Sequence, residues 1–214
     1  DSDSEFDQDM INKQIDYAME HGLNYIDTSP VYCQGQSERC TGIALSRHKR
    51  SEYFIATKLS NTRSFMPTFE ESVQMYCQSF ENFQTDHIDY YLMHNIGSED
   101  VFTRRFVQNG VIDFLLAERE AGHIRNLGFS FHGQKRGIDS LLALHDKYHW
   151  DFIQIQMNYL DWTHADPGRN VNAEYLYQEL DKREIPIVIM EPLLGGRLVR
   201  LPDNVAKYMK QMSR

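Results

Sequence analysis

Apolar residues along the chain recur at two alternating spacings. In residues 7–22, Met10, Ile11 and Ile15 follow helical spacing, and the pattern stops at Gly22, a residue that favours a helix C-terminus. A short apolar run of strand length comes directly afterwards. The same order of helix then strand repeats along the chain to residue 193.

Six strands and six helices are predicted from this alternation. The predicted strands cover 23–28, 52–59, 87–94, 124–131, 151–160 and 185–193, and the helices cover 7–22, 37–48, 68–83, 104–122, 137–148 and 172–184. Strands that alternate with helices of this length predict βαβ units in one parallel sheet, covered by helices. No long Pro/Gly/Ser linker or low-complexity tract interrupts the pattern, so residues 1–214 are predicted to form a single domain.

Six strands fit two architectures. A doubly wound open sheet is complete with six strands, whereas a closed (β/α)8 barrel needs two more. The G-x-G-x-x-G fingerprint of an open dinucleotide-binding fold is absent after the first strand, where the nearest glycine-bearing turn reads CQGQSE. The chain also starts on a helix and ends soon after a strand. These features favour an incomplete (β/α)8 TIM barrel, partial at both ends.

Composition narrows the range of partners. The formal net charge of −9 and a sequence pI near 5.4 disfavour a general surface for nucleic acid, because a polyanion would be repelled on average. No apolar run approaches the roughly 20 residues that span a bilayer, and residues 1–10 lack the features of a signal peptide. Three cysteines without CxxC spacing indicate neither a disulfide framework nor a metal site. We therefore expect a cytoplasmic protein that binds neither nucleic acid nor membrane.

Reactive side chains occur at the predicted strand ends, where the loops of a parallel α/β fold converge. The strand ends supply Asp27 with Tyr32, Lys58, His94, Ser130 with His132, Asn158 and Glu191. Each has a structural explanation when taken singly: Asp27 as a turn cap, Lys58 as a solvated strand end, His94 as a satisfied core histidine. Together, an acid, a tyrosine, a lysine and a histidine at three consecutive strand ends favour a functional site.

The chemistry of these four residues is coherent. Tyr32 would donate a proton, and the nearby Lys58 ammonium would lower its pKa by favouring the phenolate. Asp27 would keep Lys58 charged and oriented, and His94 would hydrogen-bond a substrate carbonyl. Such a site protonates a developing alkoxide but needs a hydride source, which a nicotinamide cofactor would supply.

A family resemblance rests on these motifs in order. The segments GLNYIDTSPVYCQGQSE, IATKLS, DHIDYYLMHN, AGHIRNLGFSFH, IQIQMNYL and IMEPLLGGRL resemble the aldo-keto reductases over nearly the whole chain. The resemblance implies an (α/β)8 barrel that reduces aldehydes or ketones with NADPH, without a metal in the catalytic step. It carries the family tetrad onto Asp27, Tyr32, Lys58 and His94, with Tyr32 as proton donor. The six strands then correspond to the second to seventh of eight.

The resemblance also implies cofactor contacts. Ser130 and Gln154 match the residues that hold the nicotinamide carboxamide, while Phe131 stands where the family has an asparagine. Met190 occupies the place of a stacking tyrosine. The segment LLGGRL would lie beneath the pyrophosphate, with Leu193, Gly195, Gly196 and Arg197 as the contacts. NADP(H) is the cofactor that the family implies, and NAD(H) is not excluded.

Several alternatives stay open on the sequence. GFSFHG and MNYLDW resemble a bacterial branch whose members often carry a C-terminal ferredoxin-like [4Fe-4S] region, which would have to follow residue 214. Cys33 is either a packing residue or a redox-sensitive thiol, and His132 either lines the cofactor pocket or caps a helix. A cofactor-sensing regulatory subunit, like the β subunits of potassium channels, and an unrelated hydrolase or isomerase barrel are the competing functions. Substrate identity and oligomeric state are not encoded in any motif.

Overall fold

Six parallel strands form one curled sheet. The computed structural model describes residues 6–61, 67–200 and 206. Each strand pairs in parallel with the next in sequence, in the order β1 to β6, and the sheet forms a half-barrel that matches an incomplete (β/α)8 barrel. The strands are β1 Tyr25–Asp27, β2 Phe54–Leu59, β3 Ile88–Ile96, β4 Ile124–Phe131, β5 Phe152–Gln156 and β6 Ile187–Met190. All six predicted strands are confirmed.

Helices connect the strands on the outer face of the sheet. They are α1 Gln8–Glu20, α2 Ser37–Leu45, α3 Phe69–Phe83, α4 Glu99–Phe102, α5 Val111–Glu120, α6 Lys135–Leu142, α7 His145–Tyr148, α8 Asp161–His164 and α9 Ala173–Asp181. Two 3₁₀ turns cover Tyr32–Gly35 and Arg50–Glu52, and a π-helical turn covers Thr103–Val107. All six predicted helical regions therefore contain helix.

Four predicted elements differ clearly in extent. The strand expected over 185–193 covers only Ile187–Met190, and the helix expected over 137–148 is divided into α6 and α7. The helix expected over 104–122 is divided into the π-helical turn and α5, because Gly110 adopts a left-handed conformation with φ of 75° before α5 begins. The strand expected over 151–160 stops at Gln156. Beyond it, the Asn158 side chain accepts hydrogen bonds from the backbone N–H groups of Leu160 and Asp161 and turns the chain.

Sequence-encoded caps fix where the helices begin. At the start of α3, Thr68 Oγ1 accepts the Glu71 N–H at 3.2 Å, and the Glu71 carboxylate accepts the Thr68 N–H at 2.8 Å. This reciprocal capping box satisfies two of the donors that a helix N-terminus leaves unpaired. At the start of α1, the Asp7 carboxylate accepts the Met10 N–H.

The hydrophobic core has two layers, one on each face of the sheet. The larger lies between the sheet and its helices and includes Ile55, Tyr91 and Ile153, all fully buried. The smaller lies inside the curl of the sheet and consists of Ala56, Leu92 and Phe152, with Tyr25, Tyr90 and Val188 packed against them. Side chains alternate between faces along a strand, so these two layers follow from the sequence period of two.

The inner layer sets the position of the site. Each of five residues in this layer is followed, two positions later in the sequence, by a residue of the predicted site. The pairs are Tyr25 and Asp27, Ala56 and Lys58, Leu92 and His94, Phe152 and Gln154, and Val188 and Met190. Since a step of two residues returns to the same face, these five site residues stand one level above the inner layer at the carboxyl ends of the strands. Strand β4 has Gly128 and then Ser130, and the missing side chain at Gly128 leaves room for the Phe152 backbone and ring.

Candidate functional site

Lys58 is the buried centre of the predicted tetrad. Its side chain is 2% exposed, and Nζ donates to Asp27 Oδ1 at 2.6 Å and to the Thr28 carbonyl oxygen at 2.7 Å. A buried ammonium is costly unless it is paired, and these bonds supply the partners. Burial lowers the pKa of Lys58, while the charge and hydrogen bond of Asp27 act in the opposite direction. Asp27 and Lys58, which the sequence predicted for the same site, are therefore bonded directly to each other.

Tyr32 lies over this pair at the mouth of the site. The residue begins the 3₁₀ turn that follows β1, and its side chain is 39% exposed. Lys58 Nζ lies 5.1 Å from the centroid of the Tyr32 ring, and the His94 ring is 5.7 Å from it in an edge-on arrangement. The fold thus brings together Asp27, Tyr32, Lys58 and His94 from three strand ends.

The pKa of Tyr32 moves in the direction opposite to our expectation. Partial burial of the side chain raises it, and the carboxylates of Asp27 and Glu191 raise it further. The ammonium of Lys58 does not dominate because its charge is already compensated by direct bonding to Asp27. Tyr32 therefore keeps its hydroxyl proton at neutral pH.

His94 is neutral in this environment. Burial lowers its pKa to about 3, and the charges of Lys58, Arg105 and His132 act in the same direction. The Arg105 guanidinium donates to the carbonyl oxygens of His94 and Asn95 at 2.6 and 2.8 Å, where the pairing of β3 with β4 is irregular. A neutral imidazole carries one ring N–H and one lone pair, so it offers one hydrogen bond donor.

Gln154 connects the tetrad to the opposite side of the half-barrel. Its amide Nε2 donates to Asp27 Oδ2 at 3.1 Å, although 127 residues separate the two in sequence. The Gln154 side chain is 3% exposed, and its Oε1 has no hydrogen bond partner among the described residues. Nearby, Ser130 Oγ accepts the Asn95 N–H at 2.8 Å, which leaves the Ser130 hydroxyl proton available for donation.

A large polar chamber lies beside the tetrad, at the ends of β4 to β6. Its volume is about 750 Å³, and its lining residues are Asn95, His132, Gln156, Leu160, Asp161, His164, Asp166, Arg169, Asn170, Glu191, Leu194 and Arg197. His132 lines this chamber, and the N-terminal cap position of the next helix, α6, is Gln134. Of the predicted cofactor-binding residues, Arg197 belongs to this lining.

The remaining predicted cofactor residues lie around the end of β6. Met190 is the last residue of β6 and is half-buried, while Leu193 is 51% exposed. Gly195 and Gly196 have φ of 61° and 86°, and a side chain placed on either would meet nothing within 4 Å. Their backbone is therefore open to close approach by a ligand.

The sequence did not single out most of the chamber lining. Asp161 accepts hydrogen bonds from Gln156 and Asn158 at 2.6 and 2.7 Å and fixes the loop after β5. Arg169 and Asn170 come from the segment between α8 and α9, which has no strand period. Asn95 and Gln156 were open to prediction at their strand ends, because Asn95 directly follows the inward-facing His94 and Gln156 is the next inward position after Gln154.

Cys33 is exposed rather than packed, so the packing interpretation is wrong for this residue. Cys40 and Cys77 are also unpaired thiols. Within residues 6–61 and 67–200, no group of three or more His, Cys, Asp or Glu residues is placed to hold a metal ion. In the same described part of the chain, no helix has both the length and the apolar character needed to cross a membrane.

Comparison with known proteins assigns the family. The sequence profile described as the Aldo/keto reductase family matches residues 1–214. The uncharacterized oxidoreductase YqkF of Bacillus subtilis is 30% identical over 205 residues, which cover 92% of this chain and 60% of YqkF. This chain therefore spans about three fifths of the length of that relative.

Solved structures show the same fold. An aldo-keto reductase of Bacillus halodurans in its holo form superposes with a TM-score of 0.71 at 23% identity, over 92% of this chain and 62% of that one. A mutant of Gox0644 in complex with NADPH superposes with a TM-score of 0.70 at 19% identity, over 97% and 67% of the two chains. With the profile matched over its whole length, this chain belongs to the aldo/keto reductase family.

Proposed function

We propose that this protein reduces the carbonyl group of small aldehydes or ketones with a nicotinamide cofactor, and that Tyr32 donates the proton. The observation that carries the proposal is the buried Lys58, which bonds to Asp27 and lies against the Tyr32 ring at the mouth of the half-barrel. The His94 ring meets the same Tyr32 ring edge-on. Family membership and a relative named as an oxidoreductase support the same reaction class.

The residues opposite the tetrad fit a nicotinamide cofactor. The buried Oε1 of Gln154 lacks a partner among the described residues, and a carboxamide NH₂ is a suitable donor for it. The Ser130 hydroxyl can donate to the carboxamide oxygen, and Met190 presents an apolar side chain beside it. Arg197 and the backbone at Gly195, Gly196 and Leu193 would hold the pyrophosphate.

NADP(H) is our proposed cofactor, with NAD(H) as the alternative. The solved complex of Gox0644 contains NADPH. When bound, the reduced nicotinamide supplies the hydride to the carbonyl carbon. The predicted iron–sulfur region would follow residue 214 and stays a prediction.

The chain's own residues then provide the proton. His94 is neutral and donates its ring N–H to the substrate carbonyl oxygen, which directs that oxygen toward Tyr32. The Tyr32 hydroxyl transfers its proton to the oxygen as negative charge develops there. Lys58 stabilises the phenolate that remains, and Asp27 keeps the ammonium in place.

No observation favours the competing functions. A cofactor-sensing regulatory subunit has no need for a proton donor, and the relatives are named as reductases or oxidoreductases. An unrelated hydrolase or isomerase barrel is inconsistent with family membership. The absence of a nucleic acid partner remains a proposal that rests on the acidic composition. A cytoplasmic location without a membrane partner remains a proposal that rests on the cysteine usage and the short apolar runs.

The substitution Tyr32→Phe tests the proposed proton donor. We expect reduction of a panel of aldehydes and ketones to fall by about 1,000-fold, because the reacting oxygen loses its proton source. NADPH and NADH affinities, measured by fluorescence titration, should stay within roughly twofold, because the ring is retained.

The matched control is Tyr177→Phe on α9, which removes a hydroxyl from a tyrosine that is 41% exposed. It should leave both turnover and cofactor affinity unchanged. Turnover near the original rate in Tyr32→Phe would refute Tyr32 as the donor. NADPH binding without turnover of any carbonyl by the unsubstituted protein would favour the regulatory alternative.

A further inference from the structure

Two buried serines connect the backbone to His94. Ser60 Oγ lies 2.6 Å from His94 Nδ1, and Ser29 Oγ lies 2.9 Å from Ser60 Oγ. Ser29 Oγ also accepts the Val31 N–H at 3.4 Å and lies 3.5 Å from His94 Nδ1. Both serines are 0% exposed, so solvent does not supply alternative partners. Ser60 immediately follows the end of β2, two residues after Lys58.

The hydrogen bonds that link Ser29, Ser60 and His94 can run in two directions, and only one of them gives every donor an acceptor. In one direction, Ser29 donates to Ser60 and Ser60 donates to His94 Nδ1, so each hydroxyl proton has an acceptor. Ser29 accepts the Val31 N–H in either direction. In the reverse direction, His94 Nδ1–H donates to Ser60 and Ser60 donates to Ser29. The Ser29 proton then has no acceptor among the described residues, and a buried donor without a partner is costly.

We propose that Ser60 is a positioning residue that holds His94 in the Nε2–H tautomer, and that Ser29 orients Ser60 for this role. The environment supports it, since burial and the nearby charges of Lys58, Arg105 and His132 keep the His94 ring neutral. In a neutral ring, a lone pair fixed on Nδ1 places the single proton on Nε2.

The tautomer decides what the ring offers a substrate. Nδ1 faces the two serines, so Nε2 is the atom left for a ligand at the mouth of the site. With the proton on Nε2, the ring donates a hydrogen bond to a carbonyl oxygen. With the proton on Nδ1, Nε2 would present a lone pair and repel that oxygen. This consequence rests on the proposed carbonyl reduction, whereas the tautomer itself does not.

Nitrogen-15 NMR of the histidine side chains in the full chain tests the assignment without a substrate. The His94 signals are identified from their loss in His94→Gln. We expect a protonated Nε2 and an unprotonated Nδ1 in the unsubstituted protein, unchanged between about pH 5 and 8. An Nδ1–H tautomer in the unsubstituted protein would overturn the proposal, and this measurement requires no variant at Ser60.

Substitutions at Ser60 and Ser29 test whether these two serines fix the tautomer of His94. Ser60→Ala should give a mixture of tautomers, and Ser60→Thr should restore Nε2–H because it keeps the hydroxyl. Ser29→Ala should have a smaller effect, because Ser60 can still donate to Nδ1. Ser140→Ala on α6, which removes another serine hydroxyl bonded to a backbone carbonyl, should change nothing. An unchanged tautomer in folded Ser60→Ala would overturn the role of Ser60.

Kinetics separate this inference from the proposed function. In Ser60→Ala we expect kcat/KM for carbonyl reduction to fall about tenfold, with cofactor affinity unchanged and recovery in Ser60→Thr. If the Nε2–H tautomer is observed but no carbonyl is reduced, the tautomer assignment stands and the proposed reduction fails. If reduction proceeds at equal rates in Ser60→Ala and the unsubstituted protein, the role of Ser60 fails and the proposed reduction stands.

Discussion

At the carboxyl ends of the strands, the half formed by β1 to β3 and the half formed by β4 to β6 differ in how their polar groups are bonded. On the side formed by β1 to β3, Lys58 and Ser60 are buried and bonded to neighbouring side chains. On the side formed by β4 to β6, a chamber of about 750 Å³ opens, and Leu193 beside it is 51% exposed. The proposed proton-transfer groups are therefore organised by the protein itself, while the proposed cofactor side presents its groups toward an open space.

Burial explains this difference. Strands β2 and β3 each pair with two neighbours, and a lysine placed there must find fixed partners within the protein. Strand β6 pairs with β5 alone among the described residues, and Ile189 on β6 is 46% exposed. The inner strands can thus hold a charged network rigidly, whereas the end of β6 presents loop backbone and Arg197, the groups proposed to bind the cofactor.

The largest expected effect comes from breaking the buried network with Lys58→Met. The change leaves the Asp27 carboxylate without its ammonium and should lower the rate of carbonyl reduction by about 1,000-fold in single-turnover measurements. Cofactor affinity should change by less than roughly threefold, because the chamber side is untouched. Lys135→Met, at a lysine on α6 that packs over Tyr175, is the control. Equal losses of rate and affinity would contradict a division between the two sides.

A matched pair of isoleucines tests the difference in packing. Ile155 and Ile189 are register partners on β5 and β6, but Ile155 is 0% exposed and Ile189 is 46% exposed. Ile155→Ala should lower the free energy of unfolding by about 2–5 kcal/mol, because it leaves a cavity in the core. Ile189→Ala should cost about 1 kcal/mol or less. Urea denaturation of the two variants measures both, and similar costs would show that the β6 face is as well packed as β5.

The smallest effect should come from Glu191→Gln, which acts between the two sides. Glu191 lines the chamber, and its charge raises the pKa of Tyr32. With Tyr32 as the proposed donor, reduction needs the protonated hydroxyl, so the rate should decline as pH rises through the pKa of Tyr32. Removing the charge lowers the pKa of Tyr32, and the decline should therefore begin at lower pH in a pH–rate profile. Glu184→Gln, in the loop before β6, should leave the profile unchanged, and a shift to higher pH would contradict the assignment.

The sequence was enough to predict the order of helices and strands and the position of the site at the carboxyl ends of the strands. The period of two placed Asp27, Lys58 and His94 on the same face as the inner layer, because alternation is a property of every strand. The hydrogen bond between Gln154 and Asp27 could not be read, since it joins residues whose distance depends on the curl of the whole sheet. The chamber lining drawn from the loops after β5 was missed for the same reason.

The raised pKa of Tyr32 shows why one neighbouring charge is not enough to predict the pKa of a residue. The sequence placed a lysine near a tyrosine and predicted a lowered pKa. In the fold, Lys58 is compensated by Asp27, while burial and the second carboxylate at Glu191 raise the pKa of Tyr32. A pKa depends on every charge within several ångströms and on burial, and neither is specified by local spacing.

The sequence by itself determined the parallel βαβ architecture and the identity of the residues at each strand end, because both depend on local period and on the convergence of loops at one edge. Only the tertiary structure decided how those residues are bonded. It buried Lys58, joined Ser29 and Ser60 to His94, and set Gln154 against Asp27. These contacts join segments that are remote in sequence. Hydrogen bonds and charge interactions depend on the distance between their atoms, and only the fold sets those distances.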